Sequence, residues 1–581
     1  MSRQISFLLA ICLALAGCTQ APPTAAPPTT AALAPTAAPK PTAPLPTDAP
    51  QPTNAPTEAP VTNIAPLYDN LGDHTHPITT REPSAQRYFD QGLTLTYAFN
   101  HEEAIRSFEE AARIDPNCAM CFWGKAYALG PNINAPMAPE AVAPAYEALE
   151  QARKLSSGAS DAEQAYIKAL TARYAPDPDA DRAALDKAFA EAMRTVMDAY
   201  PDDADAATIY AEALMNLTPW NYWTKDGQPT EFAEEIVTTL EAVLTKNPEH
   251  PGANHYYIHA VEASQDPGRA LPSANRLETL VPGAGHLVHM PAHIYWRVGQ
   301  YQDAVEANQH AIHSDESYLP DRPAPGWYPI AYYPHNIHFL FAAASMSGQS
   351  ELAISAARKL VDEVPESAYN DMPPIEDFLP MPIMALTRFG KWDEVLAEPK
   401  PDEQFQYSTG VWHYARGLAL VRTGKLAEAE AELRQLDALA QKQELKDLVL
   451  FSFSPAATNL TLAAHTLRGE LAGARGDHAT QIAELTKAVE IQDGFAYIEP
   501  PAWYYPVRQS LGAALLVAGK PAEAEAVYRA DLKEYPNNGW SLFGLSRSLE
   551  AQNKRAEADE AHKAFHAAWE HADVELSASQ F

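Results

Sequence analysis

From Ser84 to the C-terminus the chain repeats one pattern, and few folds accommodate it. Ala, Leu, Glu and Tyr recur at intervals of three and four, Pro or Gly separates the runs, and no strand-like alternation stands out. This predicts an all-α chain. A longer period lies over the short one. Between residues 85 and 118, Gly92, Ala104, Phe108, Ala111 and Pro116 stand at positions 8, 20, 24, 27 and 32 of a 34-residue unit. The register returns with Ala270 and Pro282 in a unit from Pro251, with Ala292, Tyr295, Gly299, Ala304 and Ala311 in one from Gly285, and with Phe341, Ala353 and Pro365 in one from Pro334. Ala415, Leu418, Gly424 and Ala427 fit a unit from Ser408, and Gly469, Gly476 and Ala488 one from Leu462. Gly512, Leu515, Ala524 and Pro536 follow from Tyr505, and Ser546, Leu549 and Ala558 from Gly539. A helix pair of this length has no core of its own and must bury its face against the next pair.

This spacing resembles the tetratricopeptide repeat (TPR), a helix-turn-helix unit with small residues where its two helices cross. The resemblance covers nearly all of 67–581 and implies an irregular TPR-type α-solenoid. Longer connections interrupt it near Pro131 to Pro144, Pro219 to Pro229, Pro320 to Pro334 and Pro365 to Pro382. It is specific for fold and says little about function, because such scaffolds serve many partners.

The first 66 residues are of another kind. Met1 to Gly17 carries an early Arg3 and an apolar run from Ile5 to Ala16, too short to span a bilayer. The run ends in Leu15-Ala16-Gly17-Cys18, which resembles the lipobox of bacterial lipoproteins; an ordinary secretory signal followed by a cysteine is the other reading. The lipobox implies cleavage before Cys18 and its attachment to diacylglycerol. Residues 19 to 66 hold 14 of the 50 prolines, with Lys40, Asp48 and Glu58 the only charges. Such a segment favours extended, polyproline-like conformations and reads as a disordered spacer. The expected organisation is a signal peptide (1–17), a lipidated cysteine and Pro/Thr/Ala linker (18–66), and the solenoid (67–581). It places the protein in the cell envelope, outside the cytoplasm, held to the membrane by its lipid alone. Lys plus Arg number 42 against 75 Asp plus Glu, a net charge of −33, which argues against nucleic acid and against a polybasic membrane patch.

Ten of the 19 histidines fall between His250 and His338. Their spacing is helical. His255 and His259 are followed by Glu262; His286, His289 and His293 lie three and four apart; His335 and His338 lie three apart. In TPR proteins the first helix of each unit lines the concave surface through positions 2, 5, 9 and 12. The resemblance puts His255, His259 and Glu262 at 5, 9 and 12, His286, His289, His293 and Trp296 at 2, 5, 9 and 12, and His335 and His338 at 2 and 5. Seven histidines from three consecutive helices then face one groove. Packed helices lie roughly 8–10 Å apart, close enough for long side chains to share an ion. Imidazoles suit zinc, copper, iron or nickel. Glu212, in the preceding unit, is a further candidate.

Three functions fit these residues. One is a binding protein whose concave histidines hold a transition-metal ion such as zinc, copper or iron. The second is a metal-free scaffold in which the groove grips a peptide or protein, with Trp296, Trp412, Arg416 and Arg508 as candidate contacts. The third is a metalloenzyme using the same histidines, with Glu262 or Glu212 in proton transfer. No glycine-rich phosphate loop or G-x-S-x-G is present, so no nucleotide cofactor is expected. Cys118 and Cys121 form a CxxC that reads as a disulfide, a reactive pair or a plain packing contact. His74 and His76 read as solvated linker or as an arm that folds back and donates a ligand. His310, His313 and His250 are left outside the cluster, the last because it sits in a Pro-rich turn. The aromatic stretch from Glu499 to Arg508 reads as a pocket mouth, with Gln509 on the groove, or as packing of a rigid loop.

Overall fold

The computed structural model describes residues 63–318 and 326–581, apart from the Tyr318 side chain. The expected signal peptide, Cys18 and the linker up to residue 62 lie outside the described residues, as does the 319–325 part of one long connection. Among the described residues 27 α-helices run from Pro83–Tyr97 to Arg555–Ala568; three isolated bridges are the only β-type pairing. The fold is the all-α, TPR-type solenoid.

The first hairpin shows how the repeat residues build it. Helices Pro83–Tyr97 and His101–Ile114 each open with residues that suit a helix start: Pro83 needs no N–H partner there, and Glu102 and Glu103 face the positive end of the second helix. Phe89 meets Phe108 edge-on with ring centres 5.4 Å apart, and Leu93, Ala104 and Ala111 are buried with them. Small residues set the approach. A Cβ on Gly92 would lie 2.7 Å from the Phe108 ring, and one on Gly124, in the next helix Ala119–Ala128, 2.3 Å from it. The same trio recurs at the other end, where Cβ atoms on Gly512 and Gly544 would meet Tyr528 at 2.3 and 2.2 Å. In these two units one large ring sits between two glycines, and this fixes the helix spacing there.

Helices that carry histidines depart from the simple unit in instructive ways. The first helix of the unit from Gly285 is split into Gly285–His289 and Pro291–Val298, but Met290 between them keeps right-handed helical dihedrals, so the histidine face continues through the break. A π-helical turn, Tyr328–Tyr332, leads into helix Tyr333–Met346. Two expected connections are partly helical: helix Pro139–Leu155 contains Pro144, and Glu366–Asp371 with the 3-10 turn Pro373–Phe378 fills much of 365–382.

Neighbour-only packing, expected for a solenoid, is not the whole of what is seen. The array winds tightly enough for successive turns to touch. The Trp540 indole N–H donates to the Ser345 carbonyl at 3.0 Å across 195 residues, and Trp296 lies edge-on to Tyr535 at 6.2 Å between ring centres. Gly252 sits against the Tyr97 ring, where a Cβ would come within 2.6 Å. Apolar surface on the inside of the winding is buried rather than left as an open groove.

Candidate metal centre

The first helix Pro251–Val261 begins at His250, whose Nδ1 accepts the Ala253 N–H at 3.1 Å as an N-cap. From there the helical period aims His255 and His259 inward, with Glu262 at the helix end. Helices Gly285–His289 and Pro291–Val298 add His286, His289 and His293, and helix Tyr333–Met346 adds His335. These six imidazoles form one contiguous set. Ring centres are 4.8 Å apart for His255–His259, 5.0 Å for His255–His286, 5.5 Å for His259–His293, 5.8 Å for His286–His289, 4.8 Å for His289–His293 and 4.7 Å for His289–His335.

The set is enclosed. His255 and His289 are 0% exposed and His259, His286 and His293 no more than 3%, while His335 is partly exposed. Phe99, at the turn of the first hairpin with φ of 56°, stacks on His259 and His286 and meets His255 edge-on at 4.6 Å. Trp220 closes on His259 at 5.0 Å, Tyr332 on His286 at 4.8 Å and Phe339 on His293 at 5.1 Å. The expected open groove is therefore corrected: winding of the array brings the first hairpin over the units from Pro251 and Gly285 and seals the histidines off from a peptide.

Most of these rings are held from behind. His255 Nδ1 lies 2.6 Å from the Tyr97 carbonyl, which can only accept, so Nδ1 carries the proton. His289 Nδ1 lies 2.7 Å from Asn308 Oδ1, and the Asn308 amide is oriented by its N–H bond to the Ala304 carbonyl at 2.7 Å. His259 Nδ1 pairs with Glu262 Oε1 at 3.0 Å, and His293 Nδ1 lies 2.6 Å from Glu262 Oε2. Three Nε2 atoms, on His255, His259 and His289, are thereby left as lone-pair donors, which is how protein imidazoles are presented to metal ions, and His293 becomes a fourth on giving up its Nε2 proton. They converge: His289 Nε2 and His293 Nε2 are 2.9 Å apart, and His255 Nε2 is 3.2 Å from His286 Nε2.

Burial pushes His255, His286, His289 and His335 well below the usual histidine value, with the neighbouring imidazoles adding to it, and burial also lowers His259. These rings are neutral. His293 differs: burial opposes its charge, but the Glu262 and Glu499 carboxylates outweigh it and raise His293 to about 10. Buried side-chain atoms without a hydrogen-bond partner gather here, namely His259 Nε2, His286 Nδ1 and Glu499 Oε2, while Glu262 Oε2 and His293 Nδ1 meet as an ion pair. Each unpartnered atom costs about 1–3 kcal/mol when left so.

Glu499 is the member that sequence reasoning did not place. It lies at the start of the aromatic Pro-rich loop, accepts from the Tyr497 hydroxyl through Oε1, and brings Oε2 to 3.4 Å from His293 Nδ1. That loop follows no helical period, so nothing in spacing could assign it to the cluster; its density of aromatic residues was the one available signal.

Other candidates lie elsewhere. His338 falls outside the ligand sets. It faces Phe341 and Phe378, and with Trp296, Trp503 and Pro500 lines a small cavity of about 20 Å³. Glu212 is taken by the Tyr127 hydroxyl at 3.1 Å and by Asn216, away from the imidazoles. Trp412 donates its indole N–H to the Glu398 carbonyl at 3.0 Å beneath the Arg416 guanidinium, which itself donates to the Leu396 carbonyl at 2.9 Å. Arg508 makes two bonds to Asp493, at 2.7 and 2.6 Å. These three grip their own chain. Cys118 and Cys121 are bonded to each other.

His74 and His76 are not solvated linker. They and His250 surround one carboxylate: Asp205 Oδ1 takes His74 Nε2 at 3.0 Å, His250 Nε2 at 3.1 Å and the Tyr97 hydroxyl at 2.6 Å, and Oδ2 takes His76 Nδ1 at 2.9 Å. The arm before the first repeat is pinned by this cluster. Because His250 Nδ1 accepts from Ala253, its Nε2 carries the proton and donates, so this group is a satisfied carboxylate rather than a ligand set.

Residues 85–118 match the tetratricopeptide repeat family. Comparison with curated proteins finds no match. Among solved structures, the human IFIT1 dimer with m7Gppp-AAAA is 14% identical at a TM-score of 0.31, over 84% of this chain and 91% of that one. The APC/C hetero-tetramer Cut9-Hcn1 is 12% identical at 0.30, over 81% and 78%. The match over residues 85–118 agrees with the helix-pair unit described for the first hairpin.

Proposed function

We propose that this chain is a transition-metal-binding protein in which a TPR scaffold buries an imidazole cluster as the metal centre. The observation that carries the reading is the convergence of Nε2 atoms on His255, His259, His289 and His293, each ring held at Nδ1 by an acceptor, in a buried pocket. The Nε2 atoms stand in close pairs, His289 with His293 and His255 with His286, and His259 Nε2 has no partner; bound metal satisfies them together. Imidazole-rich, carboxylate-poor ligation suits zinc, copper or iron rather than magnesium or calcium. Enclosure favours retention of the ion over recognition of a peptide. The expected lipid anchor at Cys18 would place this centre in the cell envelope, and loss of lipid labelling in Cys18→Ser tests that part on its own.

The test is elemental analysis of the full chain, purified without a polyhistidine tag, beside the double variant His259→Ala/His293→Ala. Stoichiometric zinc, copper or iron that disappears in the variant, with helix content retained by circular dichroism, is expected. Metal that persists in the variant, or a wild-type chain that neither carries nor takes up metal, contradicts the proposal.

A further inference from the structure

Resting on the metal reading, we propose that the cluster holds two ions, one on His255, His259 and His286 and a second on His289, His293 and His335. The ligand atoms divide this way by distance: within each triad they all lie inside 4.8 Å of one another. Each triad also contains one pair already at ligand spacing. Nitrogens bound at about 2.0–2.1 Å in a tetrahedron lie about 3.3 Å apart, and the Nε2 pairs stand at 3.2 Å for His255–His286 and 2.9 Å for His289–His293.

Six imidazoles are more than one four-coordinate ion takes. Three protein nitrogens each leave a coordination position to water or a small anion, while behind the second triad Glu262 and Glu499 hold the opposite ring nitrogen of His293, its Nδ1. The two sites are tied together. Glu262 reaches His259 of the first triad through Oε1 and His293 of the second through Oε2. One carboxylate therefore orients a ligand of each ion, a positioning role across both sites.

Cobalt(II) alone is the probe, since its visible bands report coordination. The titration uses the full chain in a His562→Ala background, because His562 and His566 form an exposed pair one turn apart that would take a weak ion of its own. Two equivalents per chain are expected, each of His286→Gln and His335→Gln reducing the count to one, with circular dichroism confirming the fold. The break point in the unsubstituted cluster reads the stoichiometry even if a variant fails to fold. One equivalent there would overturn the two-ion assignment and leave the metal reading standing; no uptake at all would overturn the metal reading itself.

Discussion

Glu262 is the residue on which the centre turns, because both of its oxygens are committed to ring nitrogens of different histidines. In Glu262→Gln one oxygen becomes an NH2 donor facing a protonated Nδ1. The imidazole on that side must move its proton to Nε2, and its lone pair is lost to the ion. Substitutions behind metal-bound histidines cost about 10–100-fold in metal affinity, and competition titration of the variant should show a loss in that range at unchanged helix content. Unchanged affinity would mean that Glu262 is a plain buried partner. Residue by residue, what was legible in the sequence is what shares a helix. His255 with His259, and His286 with His289 and His293, declare themselves by spacing alone. Asn308 and Glu499 do not, because one sits on the second helix of its unit and the other in a loop, where no period links them to the face they support.

At the scale of elements, the glycine–aromatic–glycine stacking of adjacent helices makes a sharp prediction. The Cβ of Gly124→Ala would stand 2.3 Å from the Phe108 ring, and Phe108 is held by Gly92 on its other side. Overpacking of this kind costs about 1–3 kcal/mol, read as a lowered midpoint in urea with unchanged slope. A neutral result would show that the hairpins slide freely. The N-terminal arm makes a second prediction. Asp205 faces His74, His76, His250 and Tyr97, with Asp203 and Asp90 beside His76. Burial opposes the Asp205 charge, yet the imidazoles hold its carboxyl well below the usual value of 3.8, so its contribution is present above that value and lost as pH falls. Burial also opposes the His76 charge, but Asp205 raises that ring above 6.5, so its contribution is present below that value and lost as pH rises through the raised one. The arm should be held most firmly between about pH 4 and 6.5. Removing one partner of a buried pair costs about 3 kcal/mol, so Asp205→Asn should expose residues 64–82 to limited proteolysis across that window. Equal cleavage of variant and wild type would contradict the anchor.

For the whole molecule, winding decides what is buried. The repeat register identifies the helix faces but not the pitch, so the sequence reads as an open groove where the structure has Phe99 from the first hairpin on His255, His259 and His286 and Glu499 from a C-terminal loop on His293. Contacts such as His255 Nδ1 to the Tyr97 carbonyl join segments 158 residues apart. No spacing rule reaches that far. A centre assembled from the first hairpin, the middle units and a late loop couples metal binding to the stability of the winding. Ligand at 100 times its dissociation constant stabilises the folded state by about 2.7 kcal/mol. Thermal unfolding of the full chain should therefore shift upward with added zinc and return on chelation, and a midpoint indifferent to both would argue that these segments do not share an ion.

The most direct measurement is an anomalous difference map from crystals of the full chain, collected above and below the absorption edge of the metal found by elemental analysis. The account predicts density among the buried imidazoles, within about 2.0–2.1 Å of Nε2 on His255, His259, His289 or His293. A map with no anomalous density among these rings would contradict it.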